Sequence, residues 1–76
     1  MLIHISQNDI NNGIPRSPTA CPVALALYRA TQEGWVVGGT KATGLGSVHD
    51  LPTKVQKWIR RFDQGLAVAP CTIKIV

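Results

Sequence analysis

The stretch Leu51 to Gly65, LPTKVQKWIRRFDQG, sets the architecture because it has the features of one short amphipathic helix. Pro52 suits the first helical position, where its missing N–H would be unpaired in any case. Gly65 can adopt the left-handed conformation that ends many helices. Apolar residues recur at i, i+3, i+4 and i+7 and so share one helical face: Val55, Trp58, Ile59 and Phe62. The rest of the chain must cover that face.

The first residues of the chain predict a strand followed by a single helical turn. Ile3 and Ile5 alternate with other residues over positions 1 to 6, which is typical of a strand with one buried face. Ser6 followed three residues later by Asp9 resembles a helix-start cap, and Gly13 can close the turn.

A longer helix is expected from about Cys21 to Gln32, with Pro22 in its first turn and Gly34 as its stop. Its small alanines permit close packing on a sheet. The loop before it contains two prolines and good helix-capping residues.

The middle and the end of the chain predict three more strands. One begins at residues 35–37, and another runs through Val48 toward Leu51. The stretch GGTKATGLGS between them has four glycines in ten residues and is expected to be a flexible loop or hairpin tip. Residues 67–76 alternate apolar and polar side chains, as a closing strand with one buried face does.

These elements give the order β, helix, β, β, helix, β. The predicted fold class is therefore α+β, a small four-stranded and mainly antiparallel sheet with two main helices on one face, as in a split βαβ arrangement. A chain of 76 residues makes one domain, residues 1–76, and a core this small favours a homo-oligomer.

Composition restricts the class of protein. With 45% hydrophobic and 16% charged residues the chain is globular, and no apolar run is long enough to span a bilayer. The N-terminus lacks the pattern of a secretory signal, so we expect a cytoplasmic protein with two free cysteines, Cys21 and Cys71. The spacing of its histidines and cysteines matches no zinc pattern, and we expect no metal and no cofactor.

The net charge of +4 favours anionic partners, which include a small nucleotide-like ligand, nucleic acid or an acidic host protein. Four basic residues lie on the polar surface of the helix at 51–65: Lys54, Lys57, Arg60 and Arg61. They could contact phosphates or an acidic protein surface, but a solvated face is the usual interpretation of such a pattern.

The loop before the longer helix is the first candidate site. Arg16 supplies a guanidinium, Ser17 and Thr19 supply hydroxyls, and the helix start supplies unpaired N–H groups. These groups suit an anion such as phosphate. The alternative is plain capping, with Ser17 or Thr19 at the helix end and Arg16 in solvent.

The glycine-rich stretch is the second candidate. It fails both the Walker A and the dinucleotide-binding patterns. Lys41, Thr43 and neighbouring amides could nevertheless close over a small polar ligand, and a base could stack on Trp35. A hairpin tip with no ligand is the alternative.

Catalysis is not expected. Cys21 lies at a helix start but has no identifiable base beside it, so it is interpreted as a buried structural thiol. His49 and Asp50 are adjacent on a strand and point to opposite faces, and Asp50 is expected to cap the helix that begins near Pro52. No set of base, nucleophile and oxyanion donor can be assembled, so we do not expect an enzyme.

Several sequence blocks together resemble a group of small tailed-phage and prophage proteins: Asp9-Ile10, Gly13, Cys21-Pro22-Val23-Ala24-Leu25-Ala26, Leu51-Pro52, Val55, Phe62-Asp63, Gly65, Val68 and Pro70. The resemblance implies a phage origin and an accessory role inside the host cell, without an established activity. Small phage proteins include sponges that sequester nucleotide signals of bacterial immunity. By analogy in size, origin and charge, we expect an anti-defence protein that sequesters such a signal.

Overall fold

The structure is a computed structural model that describes residues 1–75. The chain contains three helices and five strands within residues 1–75, and the α+β class predicted from the sequence is confirmed. The elements are β1 (Leu2–Ile5), α1 (Gln7–Asn12), α2 (Pro22–Thr31), β2 (Val36–Val37), β3 (Lys41–Gly44), β4 (Ser47–Asp50), α3 (Thr53–Asp63) and β5 (Cys71–Lys74).

The strands form two antiparallel sheets, which corrects the prediction of one four-stranded sheet. β1 pairs with β5, and β2, β3 and β4 form a three-stranded meander. The difference is caused by residues 41–44 of the glycine-rich stretch, which form a strand that pairs with β2 on one side and with β4 on the other. The middle of the chain thereby completes a sheet of its own, without β1 or β5.

The core lies where the β1–β5 pair meets α2. Ile3 and Ile5 point inward, as their alternation predicts, and lie beside the inward residues of β5. The largest fully buried side chains are those of Ile3, Ile5, Pro22, Val23, Leu27 and Ile75. This burial supplies most of the hydrophobic stabilisation of the domain.

The predicted single turn after β1 is the helix α1, and its cap joins it to α2. The Ser6 hydroxyl accepts the Asp9 N–H at 3.1 Å, and the Asp9 carboxylate accepts the Ser6 N–H at 2.8 Å. The same carboxylate is buried and pairs with Arg29 of α2. One acidic side chain therefore fixes β1, α1 and α2 relative to one another.

The two longer helices end differently from one another. α2 stops at Thr31, three positions before the predicted stop at Gly34, because Gln32 takes the left-handed conformation (φ 60°) and donates its N–H to Tyr28 O. α3 ends as predicted, with Gly65 left-handed at φ 78°.

The start of α3 also differs from the prediction. Pro52 is the N-cap, not the first helical residue, and no side chain of residues 1–75 caps the helix. Asp50 is instead paired with Lys41 across the β3–β4 ladder. The predicted apolar face is confirmed, since Val55 and Ile59 are buried and Trp58 and Phe62 are partly buried.

The tip of the β3–β4 hairpin offers a test of local strain. Leu45 and Gly46 form a two-residue turn with φ 54° and 74°, as in a type I′ turn, and such turns favour Asn-Gly. We expect Leu45→Asn to raise the free energy of unfolding by about 1 kcal/mol, because asparagine tolerates this conformation better than leucine. Urea denaturation measures the change. Leu45→Ala keeps the strain and should give no such gain, so equal stabilisation by both variants would contradict the argument.

Candidate functional site

A cleft opens between the loop before α2, the turn that joins β2 to β3, and the inner side of α3. We call it the Arg16 cleft. Its volume is about 290 Å³, near the lower end of the range for small-molecule sites. It is lined by Arg16, Ser17, Pro18, Cys21, Val37, Gly38, Gly39, Ile59 and Asp63. Polar groups from the loop thus face an apolar wall formed by β2 and α3.

Arg16 is held in an uncommon backbone conformation. Its φ is 61°, in the left-handed region that non-glycine residues rarely occupy. Its N–H donates to Asp63 Oδ1 at 2.8 Å, which connects the loop to the last turn of α3. Among residues 1–75 the guanidinium itself makes no hydrogen bond or ion pair. The backbone is therefore fixed while the charged group stays available.

The predicted capping of α2 by Ser17 or Thr19 is wrong, because Cys21 is the N-cap and no side chain within residues 1–75 caps the helix. Ser17 instead caps the turn that precedes α2. Its hydroxyl oxygen accepts the Ala20 N–H at 3.2 Å, and its carbonyl accepts the Cys21 N–H at 3.1 Å. The hydroxyl proton is not used by the first of these bonds, so it can still be donated. Capping and ligand contact are thus compatible at this residue.

Cys21 and Cys71 are free thiols. Burial raises the pKa of Cys21, and the nearby Asp63 carboxylate raises it further, while backbone N–H groups at the start of α2 oppose the change. Burial also raises the pKa of Cys71, with an opposing effect from Lys54. Both thiols are accordingly protonated at neutral pH, which agrees with a structural interpretation of Cys21.

Two of the other predicted site residues, Thr19 and Trp35, do not line the Arg16 cleft. Thr19 lines a separate cavity of about 370 Å³ that is also lined by Tyr28, Trp35 and Val36. The Trp35 side chain is only 3% exposed, so neither ring face is open to a stacking base. Its indole N–H donates to Thr31 Oγ1 at 2.9 Å.

Lys41 and Thr43 lie on the outer face of the three-stranded sheet. Lys41 is paired with Asp50, and Thr43 stands between Val36 and Val48 in the register. Neither residue lines the Arg16 cleft. Of the six predicted ligand-binding residues, the cleft contains Arg16 and Ser17.

The cleft includes one functional group that sequence reasoning missed. Asp63 follows Arg16 by 47 positions, and nothing local in the sequence indicates that the two residues meet. For Gly38 and Gly39 the sequence predicts only that they belong to the glycine-rich stretch, any of whose backbone amides could contact a ligand.

The basic face of α3 is exposed, as its pattern predicts. Lys54, Lys57, Arg60 and Arg61 make no ion pair with the acidic residues of positions 1–75. Arg61 donates to Ala67 O at 3.1 Å and so closes the turn after the helix. The remaining positive charges face solvent.

Residues 1–75 contain neither a cluster of metal-binding side chains nor a helix suited to cross a membrane. No group of three or more histidine, cysteine, aspartate or glutamate side chains in this part of the chain is placed to hold a metal ion. None of its helices combines the length and the apolar character that crossing a membrane requires.

Comparison with known protein families, with curated proteins and with solved structures finds no match to this chain.

Proposed function

We propose that this protein binds a small anionic ligand in the Arg16 cleft without chemically transforming it. The observation that supports this function is the Arg16 guanidinium, which has no partner within residues 1–75 and stands beside Ser17 and the Gly38–Gly39 turn. A charged donor beside a hydroxyl and a glycine backbone suits a phosphate or carboxylate group. The strained backbone of Arg16 agrees with a functional position.

Asp63 narrows the class of ligand. A carboxylate in the same cleft repels a bare anion, but it accepts hydrogen bonds from hydroxyl or amino groups. A nucleotide-like ligand offers both kinds of group, since its phosphate can meet Arg16 while its sugar hydroxyls or base amino group donate to Asp63. Pro18, Val37 and Ile59 provide an apolar surface for the rest of the ligand.

The biological role that we propose is sequestration. The cleft holds a protonated thiol and a carboxylate that is already occupied by a backbone N–H, which suits uniform binding better than transition-state stabilisation. Together with the resemblance to small phage proteins, this favours a sponge for a nucleotide-derived immune signal in the cytoplasm of an infected host. A homo-oligomer would extend a cleft that is small for such signals.

We expect Arg16→Ala to weaken the binding of AMP by about 10- to 100-fold, because a charge-assisted hydrogen bond contributes about 1.5–3 kcal/mol. Isothermal titration calorimetry measures the affinity, with adenosine as the ligand that lacks the phosphate. Arg60→Ala removes the same charge from the exposed face of α3 and serves as the matched control. It should leave the affinity for AMP nearly unchanged.

The role of Asp63 is tested in the same titrations. Asp63→Asn keeps an acceptor for the Arg16 N–H but removes the negative charge, so inorganic phosphate should bind more tightly to it than to the unmodified protein. AMP should gain less, because asparagine accepts its donors more weakly than a carboxylate does.

Equal AMP binding by the unmodified protein and by Arg16→Ala would contradict the proposed site. Native mass spectrometry after incubation with extract from phage-infected cells would identify the natural ligand.

The exposed basic face of α3 favours a second candidate, an inhibitor or regulator that binds an acidic host protein or nucleic acid. Its four positive side chains have no acidic partner within residues 1–75. In pull-down experiments from host lysate, the double variant Arg60→Glu/Arg61→Glu would then lose its partner while Arg16→Ala kept it. Nucleic acid would be distinguished by a steep loss of binding with added salt.

A further inference from the structure

A second cleft, of about 500 Å³, lies beside the free edge of β4 and shares no lining residue with the Arg16 cleft. We call it the edge cleft. One side is formed by Val48, His49 and Asp50 of β4 and by the Leu51-Pro52 connection, and Lys74 of β5 borders it as well. Two strands from different sheets therefore reach the same cleft.

The hydrogen-bond pattern shows which backbone groups of β4 face outward. Leu51 donates its N–H to Thr40 O at 2.9 Å, so Thr40 and Leu51 are a hydrogen-bonded pair of the antiparallel ladder. Since such pairs alternate along a ladder, His49 is also bonded to β3, whereas Val48 and Asp50 direct their N–H and C=O groups away from it. Within residues 1–75, β4 has no strand on that outer side.

β5 shows the same alternation of residues bonded to the neighbouring strand and residues that face outward. The N–H of Ile75 donates to Met1 O and the Met1 amino group donates to Ile75 O, both at 2.9 Å. Thr72 and Lys74 therefore turn their backbone groups away from β1, toward an edge that has no strand within the described residues. Lys74 is thus both an edge residue and a border of the edge cleft.

The opposite edge of the three-stranded sheet is closed. The outward N–H of Val37 in β2 donates to Pro18 O at 2.7 Å. Natural proteins usually protect exposed sheet edges, because such edges pair with any available strand. Among residues 1–75 no backbone group covers the edge of β4 in this way, and Val48 is 61% exposed.

We infer that the edge cleft binds an extended acidic segment of a partner protein, which pairs its backbone with β4 beside Lys74. Backbone pairing of this kind is a common mode of peptide recognition. The acidic character follows from charge. Lys74 has no ion-pair partner among residues 1–75, the Asp50 carboxylate is already paired with Lys41, and the whole chain carries +4. The inference concerns a surface outside the Arg16 cleft and does not depend on the proposed nucleotide ligand.

The test uses the full chain labelled with ¹⁵N and an acetylated, amidated Val-Glu-Val-Glu-Val peptide as the probe. We expect the amide signals of Val48 and Asp50 to shift and to exchange with solvent more slowly as the peptide is added. A Val-Lys-Val-Lys-Val peptide of the same length should bind at least ten-fold more weakly. Addition of AMP reports on the Arg16 cleft in the same spectra, so failure of either proposal is seen separately.

Two pairs of variants separate backbone pairing from charge. Val48→Pro removes an outward N–H that makes no bond within the sheet and should abolish peptide binding, whereas Val48→Thr keeps the N–H and should bind normally. Lys74→Glu should weaken binding at least ten-fold, while Lys57→Glu makes the same charge change on α3 and should have little effect. The second pair remains informative if Val48→Pro does not fold.

Three outcomes would overturn the inference. The first is that millimolar acidic peptide leaves the β4 amides unshifted. The second is that a folded Val48→Pro variant, or Lys74→Glu, binds the acidic peptide as the unmodified protein does. The third is protection of the β4 edge amides without peptide, in a sample whose mass is that of a dimer, because a second copy of the chain would then cover the edge.

Discussion

Asp9→Asn should lower the free energy of unfolding by about 2–4 kcal/mol, as the loss of a helix cap and of charge-assisted hydrogen bonds implies. The Asp9 side chain is 5% exposed. Its two oxygens receive donors from Ser6 N, from Arg29 Nη1 and, at 2.9 Å, from Arg29 Nη2. Asparagine keeps the shape but has one acceptor oxygen, so some of these donors lose their partner. The free energy of unfolding of a domain of this size is about 4–11 kcal/mol in total, so the expected loss is a large part of it.

The pH dependence of stability tests the charge of Asp9 directly. Burial alone would raise the pKa of this carboxyl group, but the hydrogen bonds from Arg29 and Ser6 outweigh it and lower the pKa below its ordinary value of 3.8. A carboxyl group whose pKa is depressed by folding stabilises the protein above its unfolded pKa and stops doing so as the pH falls through its folded pKa. The difference in the free energy of unfolding between the unmodified protein and Asp9→Asn should therefore be largest near neutral pH and decrease below about pH 5.

Asp50→Asn is the matched control for Asp9→Asn. It also removes a carboxylate that is paired with a basic side chain, but both Lys41 and Asp50 are exposed. A hydrogen bond from Lys41 and its charge lower the pKa of Asp50, yet water screens such a surface pair. Urea denaturation at several pH values should show little change for this variant. Equal losses in the two variants would contradict the special role of the buried carboxylate.

Gly44→Ala should lower the free energy of unfolding by about 2–3 kcal/mol, because it overpacks a closed part of the core. A Cβ atom at Gly44 would lie 2.6 Å from Cε3 and 2.7 Å from Cε2 of Trp35. The ring cannot easily retreat, since its N–H is bonded to Thr31 and its centroid is 5.6 Å from that of His49. Thermal and urea denaturation both measure the loss.

Gly39→Ala provides the control for Gly44→Ala. Apart from its chain neighbours, a Cβ atom there meets no atom of residues 1–75 within 4 Å, so the same substitution should leave stability unchanged or raise it slightly. The clash with Trp35 is tested further by repeating Gly44→Ala in a Trp35→Phe background, where a smaller ring leaves more room. If Gly44→Ala cost as much there as in the unmodified protein, the clash would not be its cause.

The local parts of the fold could be predicted from the sequence because their causes are local. The cap formed by Ser6 and Asp9, the apolar face of α3 and the glycine after it each depend on neighbouring residues. The division into two sheets could not be predicted in this way. It depends on which strands pair across the chain, and the many glycines hid the strand at residues 41–44.

Only the part of the candidate site that depends on neighbouring residues could be predicted. Arg16 and Ser17 were found because they directly precede a helix. The sequence cannot place Trp35, because an aromatic residue beside a glycine-rich segment suits either a ligand or a core, and only tertiary packing distinguishes the two. Asp63 was missed because its contact with Arg16 spans 47 positions.

The pairing of β1 with β5 has a consequence for the order of folding. Met1 and Ile75, bonded to each other, are 74 positions apart along the chain, so their approach requires closure of a very long loop. The β3–β4 hairpin closes over two residues and can form in microseconds. The hairpin and α2 are therefore expected to form early, and the isoleucines of β1 and β5 stay exposed to solvent until late. Until that final pairing, the chain presents its most apolar strands to other molecules, which makes slow refolding at high concentration its main route to aggregation.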